Sequence, residues 1–309
     1  MQPSDIAGRL LFAAAWCLGQ LPLSWQQNLG AAVGRLAYRL DLREAKVARR
    51  NLELTRPTLA PALREAEVRG ILEQTGRNGF ESVRVWTRPR AQNLQLIRSI
   101  HGATALDVAE QAGRGMIVVA PHYGNLEVVI GYIASRGPLS LVYRVPDSPA
   151  GNVFLRLARG ASDTTLVPAE GNAMRPLWKA LKAGQTVGMT PDQQPKLGAG
   201  EFAPFFGVPA LTMTLVPRLA ERSGAPVFFA YAERRPDGYF DLHVEPAPAA
   251  IAAPDLTVAL AAMNQAIEGI ASRDQRQYQW TYKRYTLRPP GSGEANPYAL
   301  DLPRTPPHG

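Results

Sequence analysis

Short apolar runs separated by segments of helical periodicity are the feature that most narrows what this chain can fold into. Residues 116–120 read MIVVA, 139–143 LSLVY, 164–167 TTLV, 186–190 TVGMT and 226–231 PVFFAY. A strand that is apolar along its whole length must be covered on both faces. Parallel sheets meet that need, because their crossover helices lie on both sides. Residues 105–112, 126–134, 153–158, 174–182 and 211–222 read as helices between these runs, with Gly184 stopping the one at 174–182. Residues 61–85 and 256–270 read as longer helices on either side, and RRPDG at 234–238 leads into YFDLHV as a hairpin. The expectation is an α/β fold with a mostly parallel central sheet flanked by helices.

A sheet of this kind places ligands beyond the carboxyl ends of its strands. Pro121 and His122 directly follow MIVVA, so an imidazole stands at such an end on a firmly held backbone. Glu127 comes four intervening residues later. In one continuous helix the two side chains would face apart. A turn through Tyr123, Gly124 and Asn125 folds Glu127 back, where its carboxylate fixes the imidazole tautomer and the free nitrogen takes a proton from a hydroxyl. The alternative is a histidine that caps the next helix, with Glu127 on the surface. The chain has no Gly-x-Ser-x-Gly elbow, His-Glu-x-x-His motif or Walker loop. GAGEFAPFFG has glycines without the context of a phosphate cradle, and His101, His243 and His308 show no ligand spacing. The single cysteine, Cys17, excludes an internal disulfide and a cysteine-rich metal site.

The amino terminus points to a membrane. Residues 10–23, LLFAAAWCLGQLPL, are almost wholly apolar but shorter than the roughly 20 residues that span a bilayer. A cleaved signal peptide lacks a convincing site after the run, Trp16 disfavours lipoprotein processing at Cys17, and a buried core helix is the plain alternative. Leu29, Val33, Leu36 and Leu40 then repeat at helical spacing, with Arg35, Arg39, Arg43, Lys46, Arg49 and Arg50 among and after them. That pattern suits an anionic membrane surface, and the charge after the run orients the main domain to the cytoplasm. The formal net charge of +8 favours anionic partners, and no nucleic-acid-binding motif appears.

APHYGNLE after an apolar strand resembles the His-x4-Asp/Glu block of the glycerolipid acyltransferase superfamily. LVYRVPDSP at 141–149, MTPDQQPKLGAGEFAPFFGVPALTMT at 189–214, QYQWTYKRYTLRP at 277–289 and KVARRNLEL at 46–54 resemble, in order along the chain, blocks of the lipid A late acyltransferases. The resemblance implies that a lauroyl- or myristoyl-type chain passes from a thioester, on acyl carrier protein or coenzyme A, to a hydroxyl of a lipid A precursor. It implies no metal or other cofactor, and an inner-membrane location with the catalytic domain on the cytoplasmic face. His122 would be the general base and Glu127 its orienting partner. Arg144, Arg159, Asp192, Gln193 and Asn125 would bind substrate, and backbone N–H groups of residues 123–125 would stabilise the oxyanion. The expected organisation is a membrane anchor at 1–28 in contact with phospholipid, an acyltransferase domain at 29–288, and a poorly ordered Pro/Gly-rich tail at 289–309.

Overall fold

The apolar runs assemble into one sheet. The structure, a computed structural model, describes residues 3–160, 163–169 and 172–299. Helices α1 (Pro3–Gly19), α2 (Leu23–Arg39), α3 (Arg43–Thr55), α4 (Pro61–Thr87) and the short α5 (Arg90–Leu94) precede β1 (Ile97–His101). Strands and helices then alternate through α6 (Thr104–Gln111), β2 (Met116–Val119), α7 (Leu126–Arg136), β3 (Leu139–Tyr143) and α8 (Pro149–Arg159). They continue with β4 (Thr164–Pro168), α9 (Met174–Lys182) and β5 (Thr186–Met189). A hairpin, β6 (Gly200–Phe205) and β7 (Val208–Met213), leads to α10 (Leu215–Ser223), β8 (Val227–Arg234), β9 (Phe240–Pro246) and α11 (Leu256–Ala271).

The large sheet has the order β1-β9-β8-β2-β5-β3-β4. Every ladder in it is parallel except β8–β9. Strands β2, β3 and β5 are buried at every position, as their unbroken apolar sequences require. Alternate side chains of β2 enter two separate cores. Val118 meets Val129 and Ile133 of α7, while Ile117 and Val119 join Leu177, Leu219 and Ile267 from α9, α10 and α11.

One expectation changes, and one strand carries no sequence signal. The helix expected at 211–222 starts at Leu215, because Leu211 belongs to β7. The reason lies in PFFG: Phe206 and Gly207 have φ of 49° and 74°, the left-handed pair of a tight hairpin turn. The Phe206 N–H donates to the Glu268 carboxylate at 2.6 Å, which holds this strained residue. Strand β1 escaped notice because IRSIH is a largely exposed edge strand with little apolar signal. Within the expected tail, Tyr298 is buried and donates its hydroxyl to Asn51 Oδ1 at 2.5 Å. Residues 300–309 of the expected tail lie outside the described residues.

Helix α2 is packed inside out. It buries Gln26, Gln27, Gly30, Ala31 and Gly34 against its neighbours. Trp25, Leu29, Val33, Leu36 and, just beyond the helix, Leu40 are 45–63% exposed. The backbones of α2 and α4 touch at glycines: a Cβ on Gly34 would lie 2.1 Å from the Leu72 carbonyl, and one on Gly76 2.0 Å from that of Gly30. Among the described residues no single helix is long and apolar enough to cross a membrane, and α1 and α2 are bent 113° to each other.

That close approach gives a paired test. Gly34→Val should destabilise the fold by at least about 2 kcal/mol, since backbone cannot yield to the new side chain. Gly79→Ala, in the same α4 but with open space around it, should stabilise by about 0.5–1 kcal/mol through helix propensity. Thermal melting in mild detergent checks both, and equal effects would contradict the packing.

Candidate active site

Register brings the central pair together. Val119 of β2 lies opposite Met189 of β5 in a parallel ladder. Three residues further along each chain stand His122 and Asp192, so both leave the sheet at the same edge and height. The Asp192 carboxylate accepts from the His122 backbone N–H at 2.8 Å and lies 2.8 Å from His122 Nδ1. Asp192 is buried, whereas the imidazole keeps 20% of its side-chain surface accessible.

Two neighbours select the same imidazole tautomer. Burial raises the Asp192 carboxyl, but the charge and hydrogen bonds of His122 together outweigh it and hold the group below the usual carboxylate range. An ionised carboxylate only accepts, so the proton sits on Nδ1. On the other side Gln193 Nε2, a donor, lies 3.3 Å from His122 Nε2, which fits an unprotonated Nε2. Gln193 is fixed in turn by donating to Gln279 Oε1 at 2.9 Å. His122 lines a cleft of about 400 Å³ together with Gln74, Asn78, Gly124, Leu126 and Gln279.

The turn after His122 is held from outside. Gly124 has a φ of 58°, and a Cβ there would lie 1.8 Å from the Ala232 carbonyl, so only glycine fits. The Gly124 N–H donates to the Gln277 carbonyl and the Asn125 N–H to that of Ala232, both at 3.0 Å, while the Tyr123 N–H donates to Pro121. All three amides expected to form an oxyanion hole are therefore engaged within the protein. The Gln279 N–H donates to the His122 carbonyl at 3.0 Å, so the carboxy-terminal block QYQWTYKRY lines the turn that carries His122.

Glu127 does not fold back onto the imidazole. It lies in the first turn of α7, buried, where its carboxylate takes a two-pronged contact from Arg159 of α8, with Arg159 Nε 3.1 Å from Oε2. Burial disfavours the Arg159 charge, yet Glu127 holds that guanidinium above its ordinary value. Arg159 is thus committed to Glu127 rather than presented to a substrate. Asn125 is likewise internal: its side chain caps α7 by accepting from the N–H groups of Glu127 and Val128, and its amide donates to Glu81 Oε2 at 3.3 Å. Arg144 is exposed just beyond the carboxyl end of β3.

Sequence reasoning missed Glu81 and Gln279, and placed Asp192 among the substrate contacts. Asp192 stands at the same offset of three after its strand as His122 does, but only the adjacency of β2 and β5 gives that offset meaning. Glu81 gave no signal, since it reads as one charge among many on a long helix. Among the described residues no group of His, Cys, Asp and Glu side chains could hold a metal ion.

Residues 4–286 match the sequence profile of the bacterial lipid A biosynthesis acyltransferases. The lipid A biosynthesis lauroyltransferase of Escherichia coli (strain K12) is 30% identical over 278 residues, covering 89% of this chain and 90% of that protein. The lipid A biosynthesis palmitoleoyltransferase of the same organism is 29% identical over 281 residues, with 89% and 90% covered. A lipid A biosynthesis acyltransferase of Haemophilus influenzae is 26% identical, with 87% and 86% covered.

The two carboxylates should behave differently on substitution. Nitrogen NMR of His122 should show the Nδ1-protonated ring in the parent protein and in Glu127→Gln, and a redistributed tautomer in Asp192→Ala. Glu127→Ala should cost about 2–4 kcal/mol by leaving the half-buried Arg159 without a partner, and Glu127→Leu combined with Arg159→Leu should recover most of it. A tautomer that responds to Glu127 and not to Asp192 would reverse the assignment.

Proposed function

The chain belongs to the bacterial lipid A biosynthesis acyltransferase family, and from that premise we propose that it moves a fatty acyl chain from a thioester to a hydroxyl of a lipid A precursor, with His122 as general base. The observation that carries this reading is the Asp192–His122 pair, whose imidazole lines the cleft. His122 Nε2 removes the proton of the acceptor hydroxyl as its oxygen attacks the thioester carbonyl. The C–O bond forms and the C–S bond breaks. The thiolate leaves and takes the proton back from the imidazolium, so no metal or external reductant enters the balance. Asp192 stabilises the imidazolium while it exists.

Glu127 and Arg159 act as a positioning pair that fixes the start of α7 against α8. Gln193 aligns the imidazole, and Arg144 meets a phosphate of the acceptor or carrier at the open end of the sheet. The donor in this proposal is acyl carrier protein, whose acidic surface complements a net charge of +8.

The proposal also includes attachment to the cytoplasmic face of the inner membrane. Helices α1 and α2 lie in the interface rather than crossing it. The support is the outward apolar stripe from Trp25 to Leu40, beside the exposed Arg39 and Arg43. The in-plane element thus runs beyond the 1–28 segment expected as an anchor.

Two measurements test this reading. In an assay with acyl-carrier thioesters and a lipid A precursor, His122→Ala and Asp192→Asn should each lower the rate on the order of 10²–10⁴-fold while melting normally; near-parental rates in either remove the mechanism. In co-sedimentation with anionic vesicles, replacing Leu29, Leu36 and Leu40 by Ser should leave most protein in the supernatant, and high salt alone should not release the parent. Full release by salt would show binding by charge alone, and exclude insertion.

A further inference from the structure

Among the described residues two arginines are buried, Arg234 and Arg284, and their surroundings differ. Arg234 faces the Glu81 carboxylate. Arg284 is 4% exposed and has only neutral acceptors: its Nη1 donates to the Leu211 carbonyl at 2.5 Å and its Nη2 to Thr212 Oγ1 at 3.0 Å. Its Nε is buried without a hydrogen-bond partner. The Phe205 ring, with its centroid 5.4 Å from the guanidinium carbon, adds a cation–π contact but no charge. Arginine keeps its charge at any ordinary pH, and a buried charge is costly unless another charge balances it.

Asp192 lies across a small cavity from this guanidinium, and Asn51, Gln193, Tyr278 and Tyr282 complete the lining that the two share. The neutral groups there are engaged elsewhere: Asn51 donates to the carbonyls of Trp280 and Tyr282, and Gln193 to Gln279. Both charges reach Tyr278, whose hydroxyl is raised well above its ordinary range by burial first and by Asp192 second, with Arg284 opposing. The other cations around the site have partners or water. Arg234 and Arg276 line the His122 cleft but are tied to Glu81 and Glu67. Arg159 is tied to Glu127, and Arg144 is exposed.

We infer that Arg284 is the standing countercharge of Asp192, a positioning residue that acts through this carboxylate to keep the second ring nitrogen of His122 free of a proton. While the imidazole is neutral, Asp192 and Arg284 sum to zero charge. Once it is protonated, one positive charge in the site has no counterpart, and Arg284 repels it. Without Arg284 the imidazolium and Asp192 would close into an ion pair, and the base would stay occupied. The same repulsion makes the imidazolium a readier acid toward a departing thiolate. That last consequence rests on the acyl-transfer reading above, whereas the charge relation can be measured without substrate.

The test is a nitrogen NMR titration of His122 in the full-length protein in detergent, beside the pH profile of acyl transfer. In Arg284→Gln, which keeps N–H donors and loses the charge, the His122–Asp192 pair should take up its proton roughly one pH unit higher than in the parent. Arg284→Lys, which keeps the charge, should titrate close to the parent. The acidic limb of kcat/KM should move upward by the same amount in Arg284→Gln and stay in place in Arg284→Lys. If Arg284→Gln does not fold, Arg284→Met combined with Thr212→Val removes the charge and one of its acceptors together. A merely structural arginine would lower the rate at every pH and leave both the titration and the limb unmoved, which overturns the inference. So would a parent titration that moves when gluconate replaces chloride, since a small anion would then balance Arg284. If the parent transfers no acyl group, yet its His122 titration responds to the Arg284 charge, the countercharge stands and the acyl-transfer reading falls.

Discussion

The buried ion pair between Glu81 and Arg234 is the constraint on which the His122 end of this molecule depends. Glu81 is fully buried in α4, and Arg234 Nε donates to its Oε1 at 2.7 Å from the end of β8. Isolated charges at such a depth would be very costly, and the pair persists because its remaining hydrogen-bonding capacity is filled. Gln27 of α2 donates to Glu81 Oε1 at 2.8 Å, Asn125 donates to Oε2, and Gln74 accepts from Arg234 Nη1 at 2.5 Å. One carboxylate thereby ties α2, α4, the cap of α7 and the sheet into a single frame.

From that frame the order passes to the imidazole by backbone. Gln277 clips to the main chain of Arg234 with two bonds of 2.7 and 3.0 Å. Its own carbonyl accepts from Gly124, and two residues later Gln279 donates to the His122 carbonyl. The carboxy-terminal segment is pinned further by Asn51 of α3, whose amide donates to the carbonyls of Trp280 and Tyr282 at 2.6 and 2.8 Å. The blocks KVARRN and QYQWTYKRY, far apart in the chain, therefore support the loop that carries His122.

The sheet was legible because it depends on side-chain pattern: an all-apolar strand has few other places to go. Strand β3 and helix α9 occupy the residues that their patterns predicted. The hairpin was not legible, because its turn needs Phe206 in a left-handed conformation that only the Glu268 contact secures. In the site, His122 could be read from its place after a strand. Its partner could not be chosen between Glu127 and Asp192, because that choice depends on which strands are neighbours. Spacing along the chain favours Glu127. Strand order favours Asp192, since β5 lies beside β2. The same blindness hid Glu81, whose meaning lies in an arginine 153 positions away.

The outward stripe on α2 and the polar frame beneath it are two faces of one helix. Gln27 bonds to Glu81 and to the Gly238 carbonyl in the β8–β9 turn, at 2.8 and 2.7 Å. Trp25 and Leu29, on either side of it in sequence, are exposed. A helix that bonds to the frame at Gln27 and touches α4 backbone at Gly30 and Gly34 cannot roll or slide independently of the site. If the apolar stripe sets the depth of α2 in a lipid surface, the same rigid contacts set the height of the His122 cleft above it. A ligand anchored in that surface would then meet His122 at a fixed elevation.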